Sequence, residues 1–239
     1  MIWHFWQDSL QKLEKQRQQA LGSSNLPKLA LSLYQCPIPN GDIPLSQLSL
    51  VALDFETSGL DIAQDRILSV GTVEINQQVL SLSTSQHYYL SSAGDAIKPE
   101  TAIINHVRPE VLTLGLSEEE CLQRLIPYLA GKVVIAHCAS IEKNFLKKAL
   151  QLPANLPLPL VFLDTLCLAR SLSEYWGQAN PDLRLAQIRQ QKGLPAYLAH
   201  NAIADAIATG ELFLALVAEI FPNQEVTLKQ VVKQCSATR

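Results

Sequence analysis

The stretch Leu50-Val51-Ala52-Leu53-Asp54-Phe55-Glu56-Thr57-Ser58-Gly59-Leu60 constrains this chain more than any other. It opens as an apolar run, the pattern of a strand buried on both faces. Two carboxylates follow, Asp54 and Glu56, separated by one residue. Strand side chains alternate, so both acids point to the same side. Like charges on one side of a buried strand repel each other and lose hydration, a cost that a cation between them removes. Thr57-Ser58-Gly59 then breaks the strand. The pair is left near the carboxyl end, where open α/β sheets meet their ligands. A solvated strand edge tolerates such a pair too, so this stretch alone leaves metal binding and plain solvation evenly matched.

The chain's 239 residues suffice for one large domain, or a domain with an extension. Hydrophobic residues at 48% and charged residues at 17% describe a soluble chain with a sizeable core. The formal net charge of −3 neither favours nor excludes nucleic acid, because metal-binding carboxylates lower the count without making a loaded site negative. No apolar run reaches the length of a membrane span, and the N-terminus lacks the basic start and long apolar core of a signal peptide. Cys36, Cys121, Cys138, Cys167 and Cys235 are scattered and form no CxxC pair. They read as reduced thiols in a cytoplasmic protein.

Residues 4–20 carry Trp6, Leu10, Leu13 and Arg17 at helical spacing, and the stretch from Leu26 to Leu48 is proline-rich with little periodicity. We read residues 1–47 as a helical extension and connector, 48–220 as the main domain, and 221–239 as a tail with one short helix. The extension docks on its own chain, the commoner habit of amphipathic helices, or on a protein partner through residues 1–45. In the main domain, residues 65–75 read as a second strand and 86–90 as part of a third, an antiparallel meander. Short helical turns follow over 99–114. Ser117 and Glu118–Glu120 open a helix, 132–137 is a buried strand, and Ser140 caps a helix from Ile141. A fifth strand spans 161–165, and helices cover 183–192, 201–220 and 227–234. Strands first, then strands alternating with helices, predict an α/β fold with a mixed sheet.

Two further stretches carry chemistry. Ile135-Ala136-His137-Cys138-Ala139-Ser140-Ile141-Glu142 feeds a strand into a helix with a carboxylate in its first turn. Alone this is weak, since such acids usually serve only the helix dipole. The stretch His200-Asn201-Ala202-Ile203-Ala204-Asp205-Ala206-Ile207-Ala208 is more telling. Asp205 lies in a helix apolar nearly all round, which is therefore buried, and a buried lone carboxylate calls for a cation. His200 precedes that helix; a lone histidine is more often a satisfied core residue than a functional one.

Together these stretches resemble one family. Asp54-x-Glu56-Thr57-x-Gly59-Leu60, with Asp65-Arg66-Ile67 and Val70-Gly71 behind it, resembles the first motif of the DEDD 3′–5′ exonucleases. That superfamily includes the proofreading subunit of bacterial DNA polymerase III, RNase T and oligoribonuclease. Ala136-His137-x-Ala139-x-Ile141-Glu142-x-x-Phe145-Leu146 is similar to the second motif, and Leu163-Asp164-Thr165-Leu166-x-Leu168-Ala169-Arg170 to a segment of the proofreading-like branch. His200-x-Ala202-x-x-Asp205-Ala206-x-Ala208-Thr209 is similar to the final motif in its DEDDh form. One departure stands out. Ile141-Glu142 replaces the family's usual Phe-Asp, which marks a variant branch and alters the reach of that carboxylate by one methylene.

The resemblance implies a ribonuclease H-like fold, a mixed five-stranded sheet flanked by helices. It implies a metal-dependent 3′–5′ exonuclease that removes nucleoside 5′-monophosphates from single-stranded 3′ ends, with DNA favoured over RNA. Asp54, Glu56, Glu142 and Asp205 would hold two divalent cations, Mg2+ or Mn2+, which suit oxygen ligands. His200 would be the general base, a role fitting a side chain that titrates near neutral pH. Thr57 and the backbone near Gly59 would meet the terminal 3′ hydroxyl, Leu60 would pack on the last base, and Asn105 and His106 would face the strand. Lys143, Lys147 and Lys148 either meet phosphates or, more commonly for such a run, only solvate a helix face. The rival expectation is a catalytically weak or inactive nucleic-acid-binding scaffold that retains the fold.

Overall fold

The computed structural model describes residues 8–23, 25–91 and 112–236. Helices α1 (Asp8–Leu21) and α2 (Leu31–Gln35) precede strands β1 (Leu50–Thr57), β2 (Ile67–Asn76) and β3 (Val79–Tyr89). Helix α3 (Glu118–Leu129), strand β4 (Val133–Ala136), helix α4 (Ser140–Ala149) and strand β5 (Val161–Asp164) follow. Helices α5 (Thr165–Tyr175), α6 (Leu185–Gln191), α7 (Ala202–Ile220) and α8 (Leu228–Ser236) complete the chain. The turns expected over 99–114 fall mostly outside the described residues, as does Trp6.

The first three strands form the expected antiparallel meander, turning β2 into β3 through Gln77 and Gln78 at positive φ. β1 then pairs in parallel with β4, and β4 with β5, giving the order β3-β2-β1-β4-β5. The result is a mixed five-stranded sheet flanked by helices. β3 is longer than its sequence pattern suggested. It is an edge strand with no buried residue, and its middle holds Ser81, Ser83, Thr84 and Ser85, so pairing with β2 rather than burial defines it.

Alternation along β1 divides the core. Leu50 and Ala52 join Val73 and Ile75 of β2 against Leu212, Phe213 and Leu216 of α7. Val51, Leu53 and Phe55 face the other way, onto Leu125, Ile126, Phe145 and Leu146 of α3 and α4. β1 is thus buried on both faces, and truncating Leu53 to Ala should cost about 2–5 kcal/mol. α3 begins with a reciprocal capping box: the Glu120 N–H donates to Ser117 Oγ at 3.2 Å and the Ser117 N–H to Glu120 Oε2 at 2.9 Å.

The N-terminal helix lies on its own chain. Ala20 joins Ala30, Leu33 and Tyr34 in the core, while Leu10 and Leu13 pack against the α7 side. Buried Arg17 donates to both oxygens of Glu14, at 2.7 and 2.6 Å, and to the Tyr34 carbonyl. That guanidinium holds the Glu14 carboxyl down to about 2. Glu14 also accepts the Ile38 N–H at 2.9 Å, pinning the connector. Among the described residues, no helix is long and apolar enough to cross a membrane.

Candidate active site

Asp54 and Glu56 project from one face of β1 at its carboxyl end, beside the carboxyl ends of the parallel strands β4 and β5. Their cross-strand partners on β2 are Gly71 and Ser69. Gly71 is where α7 meets the sheet: a Cβ there would lie 2.1 Å from the Ala202 carbonyl oxygen. The second close approach is at Gly210, whose Cβ would come within 3.3 Å of the Ala52 Cβ. These two glycines let the first turns of α7 rest directly on β1 and β2. Asn201 caps the helix through its side chain, accepting the Ala204 N–H at 3.2 Å.

Asp205, in that first turn, is thereby brought to the strand acids. One carboxylate oxygen each from Asp54, Glu56 and Asp205 lies within 4.8 Å of the others. The Asp205 Oδ2 also accepts the N–H groups of His200 at 2.8 Å and Asn201 at 3.3 Å. His200 is exposed, with a φ of 61°, and it shares a cleft of about 1030 Å³ with Asp54 and Asp205.

Glu142 stands outside this triad. It is 2% exposed in the first turn of α4, and its Oε2 has no hydrogen-bond partner. Its charge nevertheless acts on Asp54. Burial, then repulsion from Glu142, Asp205 and Glu56, pushes the Asp54 carboxyl well above the usual range. Burial and the Asp205 charge push Glu56 up to about 8, and burial does the same to Glu142. Burial also raises Asp205, against the N–H groups of His200 and Asn201. A divalent cation fits this set. The donors are all oxygens, those of Asp54, Glu56 and Asp205 converge, and their cost is the repulsion and lost hydration that a cation offsets.

The turn that delivers Glu142 is built by a residue far along the chain. Ser140 does not cap α4. The preceding position is Ala139, which makes no side-chain cap, and the turn before it is held by Asp164 at the end of β5. Asp164 accepts the N–H of Cys138 on Oδ1 and of Ala139 on Oδ2, both at 3.0 Å, which suits the left-handed φ of 64° at Cys138. The same carboxylate caps α5 by accepting the Leu166 N–H at 3.0 Å. His137 completes this brace. Its Nε2 meets the Leu183 carbonyl at 3.0 Å and its Nδ1 the Thr165 hydroxyl at 2.9 Å. A carbonyl only accepts, so the proton sits on Nε2, and burial keeps this imidazole neutral by lowering its pKa.

The RNase_T exonuclease model matches residues 51–213. The chain belongs to the RNase_T exonuclease family. It is a 3′–5′ exonuclease of the hydrolase class, and its sheet is the ribonuclease H-like sheet. Among RNase_T relatives, the chain is 27% identical over 199 residues to the DNA polymerase III subunit epsilon of Treponema pallidum, covering 80% of this chain and 90% of that protein. It is 28% identical over 176 residues to the PolC-type DNA polymerase III of Thermotoga petrophila, covering 74% of this chain but 12% of that one. The zinc-bound E. coli exonuclease I–ssDNA complex superposes with a TM-score of 0.64 at 18% identity, covering 74% of this chain and 42% of that chain. Exonuclease X in complex with 5′-overhanging duplex DNA gives 0.57 at 18%, covering 76% and 98%. The chain therefore spans a small part of the PolC-type relative and less than half of exonuclease I.

The RNase_T first motif runs on into a tight loop over 58–66. The Thr57 hydroxyl donates to the Gly59 carbonyl at 2.7 Å, and Asp65 accepts from Ser58 Oγ and the Asp61 N–H, both at 2.8 Å. Gly59 lies against that carboxylate, where a Cβ would come within 2.4 Å of Asp65 Oδ2. Leu60 is 72% exposed at the loop's tip. Lys148 donates to the Asp65 carbonyl at 2.5 Å, and Lys143 lies 4.9 Å from the centre of the Phe162 ring, so both have protein partners. Asn105 and His106 lie outside the described residues.

Proposed function

We propose that the chain removes nucleoside 5′-monophosphates from single-stranded 3′ ends, with DNA favoured over RNA. In this reading Asp54, Glu56, Glu142 and Asp205 hold two divalent cations, Mg2+ or Mn2+, and His200 is the general base. The observation that carries it is the convergence of three carboxylates within 4.8 Å, two of which, Asp54 and Asp205, line a cleft shared with His200. When bound, the cations neutralise the carboxylates and the scissile phosphate and lower the cost of charge developing on oxygen.

The chain's own residues do the rest. Asp205 Oδ2 holds the backbone of His200, which sets where the imidazole stands. The imidazole takes one proton from the attacking water. As that water's oxygen bonds to phosphorus, the bond from phosphorus to the 3′ oxygen breaks, and the leaving oxygen takes a proton from solvent. Thr57 and Gly59 orient the terminal 3′ hydroxyl, and exposed Leu60 packs on the last base. Only an unpaired end can be splayed into such a site. Support for DNA comes from the relatives, which include a DNA polymerase III subunit and a nuclease solved with single-stranded DNA.

The test is digestion of 5′-labelled single-stranded DNA and RNA of matched sequence in Mg2+ and Mn2+, beside Asp54→Ala and His200→Ala proteins. A ladder shortening from the 3′ end, lost in Asp54→Ala, cut to a slow residual rate in His200→Ala, and faster on DNA, is expected. No cleavage of either strand in either metal would overturn the reading.

A further inference from the structure

We infer that Arg189 is a positioning residue that clamps the loop carrying His200 onto the helix carrying Asp205. The inference rests on the reading of His200 as general base. Arg189 lies in α6 and is 3% exposed. A guanidinium buried that deeply is destabilising unless its donors are matched. Here they are matched by two segments at once. Nη1 donates to the Ala208 carbonyl of α7 at 2.6 Å. Nη2 donates to the Pro195 carbonyl of the loop and to Glu211 Oε2 of α7, both at 2.7 Å. The other oxygen of Glu211 accepts the Tyr197 hydroxyl at 2.9 Å, and the Tyr197 ring lies 4.9 Å from the guanidinium.

The loop between α6 and α7 therefore has two ties to α7. Arg189 and Glu211 hold residues 195 and 197, and Asp205 holds the N–H of His200. Between those ties the loop has little packing of its own. Residues 195–200 are all exposed, Leu198 at 62%. It leaves α6 through Gly193 at a φ of 66° and ends at His200 at 61°. A segment with so few apolar contacts is held by its hydrogen bonds or not at all. An aliphatic residue at 189 would fill the same volume without the cost of burying charge. The fork supplies what an aliphatic residue cannot, a simultaneous grip on a loop carbonyl and a helix carboxylate.

The test is a double-mutant cycle on exonuclease kinetics with 5′-labelled single-stranded DNA and saturating Mg2+. The proteins are wild type, Tyr197→Phe, Arg189→Lys, His200→Ala and the Tyr197→Phe/His200→Ala double variant. Tyr197→Phe removes one hydroxyl from a partly exposed ring, so it keeps the experiment informative if Arg189→Lys does not fold. Tyr197→Phe and Arg189→Lys should each lower kcat by about tenfold or more with KM within about twofold, the mark of a misplaced group rather than lost substrate binding. In the His200→Ala background, Tyr197→Phe should change kcat by less than about twofold. Equal factors in both backgrounds, or unchanged kcat in Tyr197→Phe, would overturn the proposal. A His200→Ala protein with wild-type kcat would instead overturn the reading of the base beneath it.

Discussion

Gly71 and Ala202 meet backbone to backbone, with room for no side chain between the strand and the first turn of α7. Gly71 is the cross-strand partner of Asp54, and Asp205 lies in the turn that Ala202 begins. One contact therefore sets the separation of the two acids.

Gly71→Ala should lift α7 from the sheet. We expect a loss of about 1–3 kcal/mol in denaturant melts and a fall of at least about tenfold in exonuclease rate, as for a misplaced catalytic group. Gly210→Ala is the control. Its nearest contact is the flexible end of Leu80, at 2.8 Å, so it should cost stability with a smaller loss of activity. Equal activity losses in the two variants would break the link between the Gly71 contact and the site.

Metal-free protein should lose stability as pH rises. Glu56 and Glu142 move from 4.5 to about 8 on folding, so between those values the folded state keeps protons that the unfolded chain has released. Stability is then full below about pH 4.5 and falls up to about pH 8. Melting temperature in EDTA should decline from pH 5 to 8, and Mg2+ or Mn2+ should restore most of it at pH 8. An EDTA profile flat across that range would contradict the pKa shifts.

Glu142→Gln keeps the shape of the side chain and removes a buried charge that repels Asp54. In EDTA at pH 8 the variant should melt above wild type, and the gain conferred by Mg2+ should shrink. Its exonuclease rate should drop on the order of a hundredfold, the usual effect of removing one electrostatic contributor at a reacting centre. A variant that melts higher yet keeps full activity would separate Glu142 from the chemistry.

Asp164→Ala would strand the N–H groups of Cys138, Ala139 and Leu166. Unpaired donors of this kind cost about 1–3 kcal/mol in sum after partial rehydration. The turn before Glu142 should relax, so the rate should fall with little change in KM. Asp164→Asn offers one oxygen in place of two and should fall between wild type and Ala in both readouts. An Asn variant as impaired as Ala would point to charge rather than hydrogen-bond geometry.

Local order was legible in the residues themselves. The period of two put Asp54 and Glu56 on one face of β1, and apolar surroundings marked the helix that carries Asp205 as buried. Ser117 and the acidic run behind it announced the start of α3, where the structure closes a capping box. Each of these depends on neighbours a few residues apart, so a linear reading reaches them. Tertiary structure alone decided the rest. Ser140 looked like the cap of α4, yet α4 has no side-chain cap, and Asp164, more than twenty residues away, fixes the turn that leads into it. A backbone N–H donates to any well-placed carboxylate, whatever that carboxylate's distance along the chain. Arg189 gave no local signal, because its partners lie on a later loop and helix. The sequence determined which residues bear charge and which faces are apolar. Packing decided which charges meet, because burial makes each depend on whatever the fold brings beside it.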